Sequence, residues 1–151
     1  MKLFQIEEPD GSPLDAAAGL GAAVGIDIAA GGIGRVAVAA GGNAEILPDS
    51  DGVRSLLVIQ EREHNDAMRM TSLLLGLRSR AEKQLVRPVT HAVIAADLAE
   101  RAAIEAAAAE AGIAILRLVD RPTAAGLAPD AAPEEAPVLG AAIAAEEATA
   151  V

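Results

Sequence analysis

The chain lacks cysteine, tryptophan and tyrosine, and Phe4 is its single phenylalanine among 151 residues. Without cysteine there is no disulfide, no thiolate metal site and no cysteine nucleophile, and the redox compartment stays undetermined. Because aromatic residues are almost absent while 52% of the residues are hydrophobic, the core must be aliphatic and rich in alanine. Such small side chains allow neighbouring helices and strands to approach closely.

Basic residues are also scarce, since 12 lysines and arginines stand against 22 acidic residues, for a net charge of −10. An anionic surface of this kind repels phosphate backbones and anionic membranes. No apolar run reaches the roughly 18 residues that a membrane span requires. The first eight residues become acidic too early for a secretory signal. We therefore expect a cytoplasmic protein with no nucleic-acid and no membrane partner.

The length of the chain suits one domain with a core of adequate size. Residues 1–21 include Pro9, Gly11 and Pro13, which predict an irregular arm, with a short strand at residues 3–6 as its one candidate element. We expect the folded unit over residues 22–151.

Hydrophobic periodicity divides the folded unit into strands and helices. Alternating or continuous apolar runs predict strands at residues 23–29, 35–40, 44–47, 55–60, 91–96 and 113–119. Helices are predicted at residues 66–86, from Asp97 to Ala111, at residues 123–127, and from Glu134 to about Ala148. A meander of strands, joined by glycine turns at residues 31–34 and 41–43 and followed by β-α-β units, predicts a mixed sheet covered by helices.

Local signals predict where the helices begin and end. Asp97 is placed to cap the second helix, with Glu100 as its capping-box partner. Gly112 occupies the position after that helix where glycine is favoured. Pro122 opens the short third helix, because proline is tolerated in a first helical turn.

One glycine-rich segment between the first two strands has the pattern of a phosphate-binding loop. The segment Gly25-Ile26-Asp27-Ile28-Ala29-Ala30-Gly31-Gly32-Ile33 resembles the loop G-I-D-L-G-T-T-N-S of Hsp70 and actin-like ATPases. In such a loop, backbone N–H groups and hydroxyls hold phosphates, and the aspartate orients Mg²⁺ through water. The resemblance therefore places a cofactor-binding loop at Asp27, Ala29, Ala30, Gly31 and Gly32.

We interpret that loop as vestigial, because the two threonine positions are occupied by Ala30 and Gly31, which carry no hydroxyl. Ala29 also replaces the second glycine of the pattern. Considered without the resemblance, the same residues fit a glycine-rich hairpin that contains one polar side chain.

Further segments resemble the same family in the same order, over about residues 22–147. Residues 43–55 resemble A-x-I-I-x-N-x-x-G-x-R-T-T-P-S, residues 86–94 resemble E-P-V-T-x-A-V-I, and residues 120–128 resemble N-E-P-T-A-A-A-L-A. Residues 131–145 resemble the closing helix N-P-D-E-A-V-A-x-G-A-A-I-Q-A. Two parts of the family are missing: an insertion with a catalytic lysine, for which Lys83 is no substitute, and the whole second lobe.

The resemblance implies an α/β fold, a ribonuclease H-like (actin-like ATPase) single lobe with a mixed sheet of about five strands and helices packed on it. The closing helix should cover the sheet with Val138, Leu139, Ala142 and Ile143. Arg121 replaces a family glutamate that helps to hold the water shell of the metal, and a cation there would repel Mg²⁺. We expect Arg121 at the surface.

His91, at the start of a strand, has no second ligand near it in the sequence. A surface or edge histidine is therefore the expected role, and no metal site is predicted.

These features predict a lobe without ATPase activity and without a cofactor, used as a chaperone-related module for protein interaction or assembly, with self-association as a homodimer favoured. Because the second phosphate loop and the adenine pocket belong to the missing lobe, phosphates would be approached from one side only. One alternative is an ATP-binding protein, with ATP and Mg²⁺ as cofactors, whose site a dimer partner or a second-lobe protein completes. Another is a decoy that competes for the co-chaperones of an Hsp70.

Overall fold

The computed structural model describes residues 21–29, 33–48, 57–58 and 66–149. The predicted arm, its candidate strand at residues 3–6 and most of the predicted fourth strand lie outside the described residues. So do residues 30–32, which hold most of the predicted phosphate-loop turn.

The order of strands and helices follows the predicted pattern. The strands are β1 (Ala22–Ala29), β2 (Ile33–Ala40), β3 (Asn43–Ile46), β4 (Leu57–Val58), β5 (Val89–Ala95) and β6 (Ala114–Val119). The helices are α1 (Asp66–Leu85), α2 (Arg101–Ala111), α3 (Arg121–Ala125) and α4 (Ala136–Thr149), with a 3₁₀ turn at Leu98–Glu100 before α2. The first glycine turn was predicted too long, because Ile33 and Gly34 already pair with β1 as part of β2.

The strands form one mixed sheet in the order β3-β2-β1-β5-β6, and β4 pairs with β2 at the end opposite to β3. The β1–β2 and β2–β3 pairs are antiparallel, whereas β5 is parallel to β1 and β6 is parallel to β5. This confirms the predicted mixed sheet and the single-lobe, actin-like fold class. It also brings the carboxyl ends of β1, β5 and β6 to the same edge.

One face of the sheet carries the larger aliphatic side chains. Because side chains alternate along a strand, Val24, Ile26 and Ile28 of β1 all point to this face, where α1 and α2 cover them. Three leucines of α1 are completely buried there, namely Leu73, Leu74 and Leu77. This layer is the main hydrophobic core.

The opposite face is covered by α3 and α4, which approach very closely. A methyl group on Gly25 of β1 would overlap the backbone of Ala142, and one on Gly140 would overlap the carbonyl of Ala124 in α3. Glycine at these two positions lets α4 lie directly against both the strand and α3. The terminal helix is therefore buried on two sides.

The predicted apolar face of the terminal helix was only partly right. Val138 and Ala142 are buried, but Leu139 and Ile143 are half-buried. Alanines fill the remaining contacts, at Ala141, Ala144 and Ala145. The close approach at Gly25 favours small side chains at the contact, so the larger residues lie beside it.

A carboxylate also links α4 to the sheet. Gly41 and Gly42 form the β2–β3 turn with φ angles of 63° and 83°, a region that suits glycine. Their N–H groups donate to the two carboxylate oxygens of Glu146, at 2.5 and 2.9 Å. The terminal helix thus satisfies both donors of the turn.

The helix ends follow the predicted signals with one correction. Gly112 ends α2 in the left-handed conformation at φ 76°, as predicted. Asp97 accepts from the N–H of Ala99 at 3.0 Å and opens the 3₁₀ turn rather than α2 itself. The capping box was wrong, because Glu100, at the N-cap of α2, makes no side-chain capping hydrogen bond.

Candidate functional site at the carboxyl edge of the sheet

The carboxyl ends of the parallel strands bring polar residues together. Asp27, near the end of β1, lies opposite Ala95 of β5 in the parallel register. Asp120 and Arg121 directly follow β6, the next strand along. In α/β sheets, ligands bind at this edge, beyond the carboxyl ends of the strands. We therefore take it as the candidate site.

Asp27 is a buried carboxylate. Its side chain is 3% exposed. Strand alternation turns it to the face that α3 and α4 cover, away from the aliphatic side chains of Ile26 and Ile28. A carboxylate removed from water is stable in its charged form only when a counter-charge and hydrogen-bond donors accompany it.

Arg121 supplies both the counter-charge and the donors. Its Nε donates to Oδ1 of Asp27 at 2.8 Å and its Nη2 donates to Oδ2 at 3.0 Å. This two-point contact is the strongest geometry available to an arginine and a carboxylate. The hydrogen bonds that Arg121 donates to Asp27 raise the pKa of Arg121 above its usual value, so the guanidinium stays charged. Arg121 does reach the surface as expected, with its side chain 38% exposed, but the expectation missed its ion pair with Asp27.

The start of α3 fixes the position of Arg121. Asp120 caps the helix by accepting from the N–H of Thr123 at 2.7 Å, and Pro122 occupies the first turn. The hydrogen bonds from Thr123 lower the pKa of the Asp120 carboxyl. Because the cap directly follows β6, Arg121 begins α3 at the carboxyl edge of the sheet, from which its side chain reaches Asp27 of β1.

A second arginine lies beside Asp27, on the neighbouring strand β2. Arg35 of β2 is paired directly with Asp27 in the antiparallel register, so the two side chains share a face. The Nη1 of Arg35 donates to the backbone carbonyl of Glu134, just before α4. Arg35 therefore connects β2 to the segment that leads into the terminal helix.

The predicted cofactor-binding residues are only partly described. Asp27 and Ala29 belong to β1, whereas Ala30, Gly31 and Gly32 lie outside the described residues. Sequence reasoning missed the partnership between Asp27 and Arg121. Two signals were present: an aspartate inside an apolar strand, which requires a counter-charge, and a reversal of charge at position 121.

Other residues singled out from the sequence lie away from this edge. Lys83 is exposed on α1, as predicted. His91 is half-buried in β5, which lies between β1 and β6, so the edge position was wrong. Its Nδ1 lies 2.7 Å from Oγ1 of Thr90. Across the described ranges there is no group of three or more histidine, cysteine or acidic residues that could hold a metal ion.

The residues present do not fit a magnesium nucleotide in the way that the fold family would imply. Each oxygen of Asp27 already accepts a hydrogen bond from Arg121, and the positive charge of the guanidinium beside it disfavours a divalent cation. Ala29 and the sequence positions of Ala30 and Gly31 carry no hydroxyl for a phosphate.

The family model described as Hsp70 protein matches residues 59–130, slightly less than half of the chain. The chain is Hsp70-like over this stretch. The Hsp70-like stretch runs through α1, β5, α2, β6 and α3, and includes Arg121 but not Asp27. The resemblances at residues 86–94 and 120–128 lie inside it, while the phosphate-loop segment and α4 lie outside.

No curated protein matches the chain. Within the part of the chain that the structure describes, no helix is both long and apolar enough to span a membrane.

Proposed function

We propose that this Hsp70-like domain has lost ATPase activity and acts as a protein-interaction or assembly module, chaperone-related and cytoplasmic. The observation that carries the proposal is the two-point ion pair between Asp27 and Arg121, which engages the carboxylate expected to orient a metal. Phosphoryl transfer depends on positioned charges around the phosphate. In this chain the charge of the Asp27 carboxylate is already neutralised by Arg121.

The packing of α4 supports a unit of one lobe, with residues 22–151 as the proposed domain and residues 1–21 as its arm. Helix α4 contacts β1, β2, β3 and β5 on this face of the sheet. Its close packing at Gly25 and Gly140 requires both partners in place. These strands are thus covered by a helix of the same chain.

Two exposed leucines support a partner surface near the carboxyl edge of the sheet. Leu98 follows β5 and is 37% exposed, and Leu127 follows α3 and is 40% exposed. We assign self-association, as a homodimer, to the surface that contains these two side chains. Exposed apolar side chains of this size are a common feature of protein contact surfaces.

The test is the molar mass in solution, measured by sedimentation over a range of protein concentrations. We expect a reversible monomer–dimer equilibrium that Leu127→Glu shifts toward the monomer. The matched control is Leu75→Glu, because Leu75 is 46% exposed but lies on α1. A strict monomer at the highest concentration, or an equal effect of both variants, would contradict this assignment.

A nucleotide site completed by a dimer partner would give a different result. Mg-ATP would then raise the melting temperature of the dimer but not of the Leu127→Glu monomer. The Asp27–Arg121 ion pair favours an interaction module that binds no nucleotide.

A further inference from the structure

The ion pair at the carboxyl edge has a consequence for ligand selection. We propose that Arg121 is the resident cation of the Asp27 site: its guanidinium fills a place that would otherwise accept a cation from solution, and so excludes divalent metals. This inference rests on the proposed loss of nucleotide binding, and adds the residue that causes the exclusion and the class of ligand that the site would accept without it.

The geometry of the ion pair indicates that Arg121 and a metal ion do not occupy the Asp27 site together. Two N–H groups of Arg121 donate to the two carboxylate oxygens of Asp27, with nitrogen–oxygen distances of 2.8 and 3.0 Å. A metal ion at these oxygens would compete with two charge-assisted hydrogen bonds and would lie close to the guanidinium. Repulsion between the guanidinium and a divalent cation adds to that barrier.

The apolar surroundings of Asp27 mean that its carboxylate requires a cation nearby. The carboxylate is buried on the face where Ala95, Ala124 and Ala141 form a small apolar cluster. Arg35 shares this face, but its Nη1 donates to the carbonyl of Glu134. Removal of the Arg121 guanidinium, which is itself 38% exposed, would therefore leave the carboxylate without its counter-charge beside a space that is open to solvent.

Two kinds of soluble cation suit the vacated place. A guanidinium ion has the shape and the parallel donors of the lost group, and a hydrated divalent ion supplies charge and water-mediated hydrogen bonds. Either would bind the folded state selectively, because the unfolded chain has no comparable site. Binding of this kind raises the melting temperature.

The experiment measures the melting temperature of Arg121→Ala in the full chain. Guanidinium chloride at concentrations too low to denature, and separately magnesium chloride, are compared with sodium chloride at matched ionic strength. We expect at least one of the two cations to raise the melting temperature of Arg121→Ala by about 3 °C or more.

Matched variants distinguish cation binding at the Asp27 site from a general effect of salt on the melting temperature. Arg117→Ala removes an exposed arginine of β6, and we expect it, like the wild type, to show no cation-specific rise. Adding Asp27→Asn to Arg121→Ala should abolish the rise. The proposal is overturned if neither cation acts on Arg121→Ala, or if the double variant responds equally.

A second pair of variants covers the case in which Arg121→Ala does not fold. In Asp27→Asn/Arg121→Gln, two neutral amides replace the ion pair, and we expect this protein to melt at a higher temperature than Arg121→Gln alone. No recovery in the double variant would overturn the proposal. Failure of the proposed function would instead appear as a response of the wild type to Mg-ATP, which these measurements do not use.

Discussion

At the scale of single residues, the most informative contact joins two side chains 94 positions apart. The apolar pattern around Asp27 predicts its strand, and Pro122 predicts a short helix just after Arg121, at residues 123–127. No local pattern states that the two meet, because their distance depends on the parallel pairing of β1, β5 and β6. The sequence alone therefore predicts the strand that holds Asp27 and a helix close to Arg121, but neither the start of that helix at Arg121 nor the partnership of the two residues.

Gly25 provides a residue-scale prediction about packing. Gly25→Ala should destabilise the fold by about 3 kcal/mol or more, because the added methyl group would overlap the backbone of Ala142, which cannot rotate away as a side chain can. Urea unfolding measures the change. Gly126→Ala is the control, since a methyl group there would make ordinary contacts, the nearest at 3.4 Å. Equal costs at both positions would contradict the close approach of α4.

At the scale of secondary-structure elements, the sequence predicts most of the sheet and all four helices. Period-two runs and glycine turns predict β1 to β3, and apolar spacing with Gly112 predicts α1 and the end of α2. The details that failed depend on contacts between elements. Leu139 and Ile143 were expected inside, but the contact of α4 with Gly25 favours alanines. The capping box failed because Asp97 bonds the closer N–H of Ala99.

Glu82 links α1 to β5 and makes that connection dependent on pH. Its carboxylate accepts from the backbone N–H of Val89 at 2.9 Å and from Nε of Arg78 at 3.2 Å. The hydrogen bond from Val89 is the main cause that lowers the pKa of Glu82 below its usual 4.5, with Arg78 assisting against partial burial. Its stabilising contribution is thus complete above about pH 4.5 and is lost as the pH falls through the lower, folded-state pKa.

The corresponding variant is Glu82→Gln. We expect a smaller loss of stability than in the wild type as the pH falls from about 6 to 3, because one group that takes up protons on unfolding is gone. Thermal melting at several pH values measures this slope. Glu105→Gln, at an exposed position on α2, should leave the slope nearer to that of the wild type. If the two variants have the same slope, Glu82 does not have the assigned role.

At the scale of the whole molecule, segments on either side of the Hsp70-like stretch pack together and complete the fold. The strands before residue 60 and helix α4 flank the Hsp70-like stretch in the sequence, yet they pack together as α4 on β1 and β2. The site joins one of these flanking strands to the matched stretch, since Asp27 of β1 precedes that stretch and Arg121 lies within it. This arrangement explains how a sheet with the strand order of an actin-like lobe can be covered on both faces and can carry an internally neutralised carboxylate.

The most direct test of the central claim is a calorimetric titration of the purified full chain with Mg-ATP, with sodium tripolyphosphate as a control for charge alone. We predict no saturable heat, because Arg121 occupies the carboxylate on which a metal-bound nucleotide would depend. Saturable binding of Mg-ATP in the micromolar range to the wild-type protein would contradict the account.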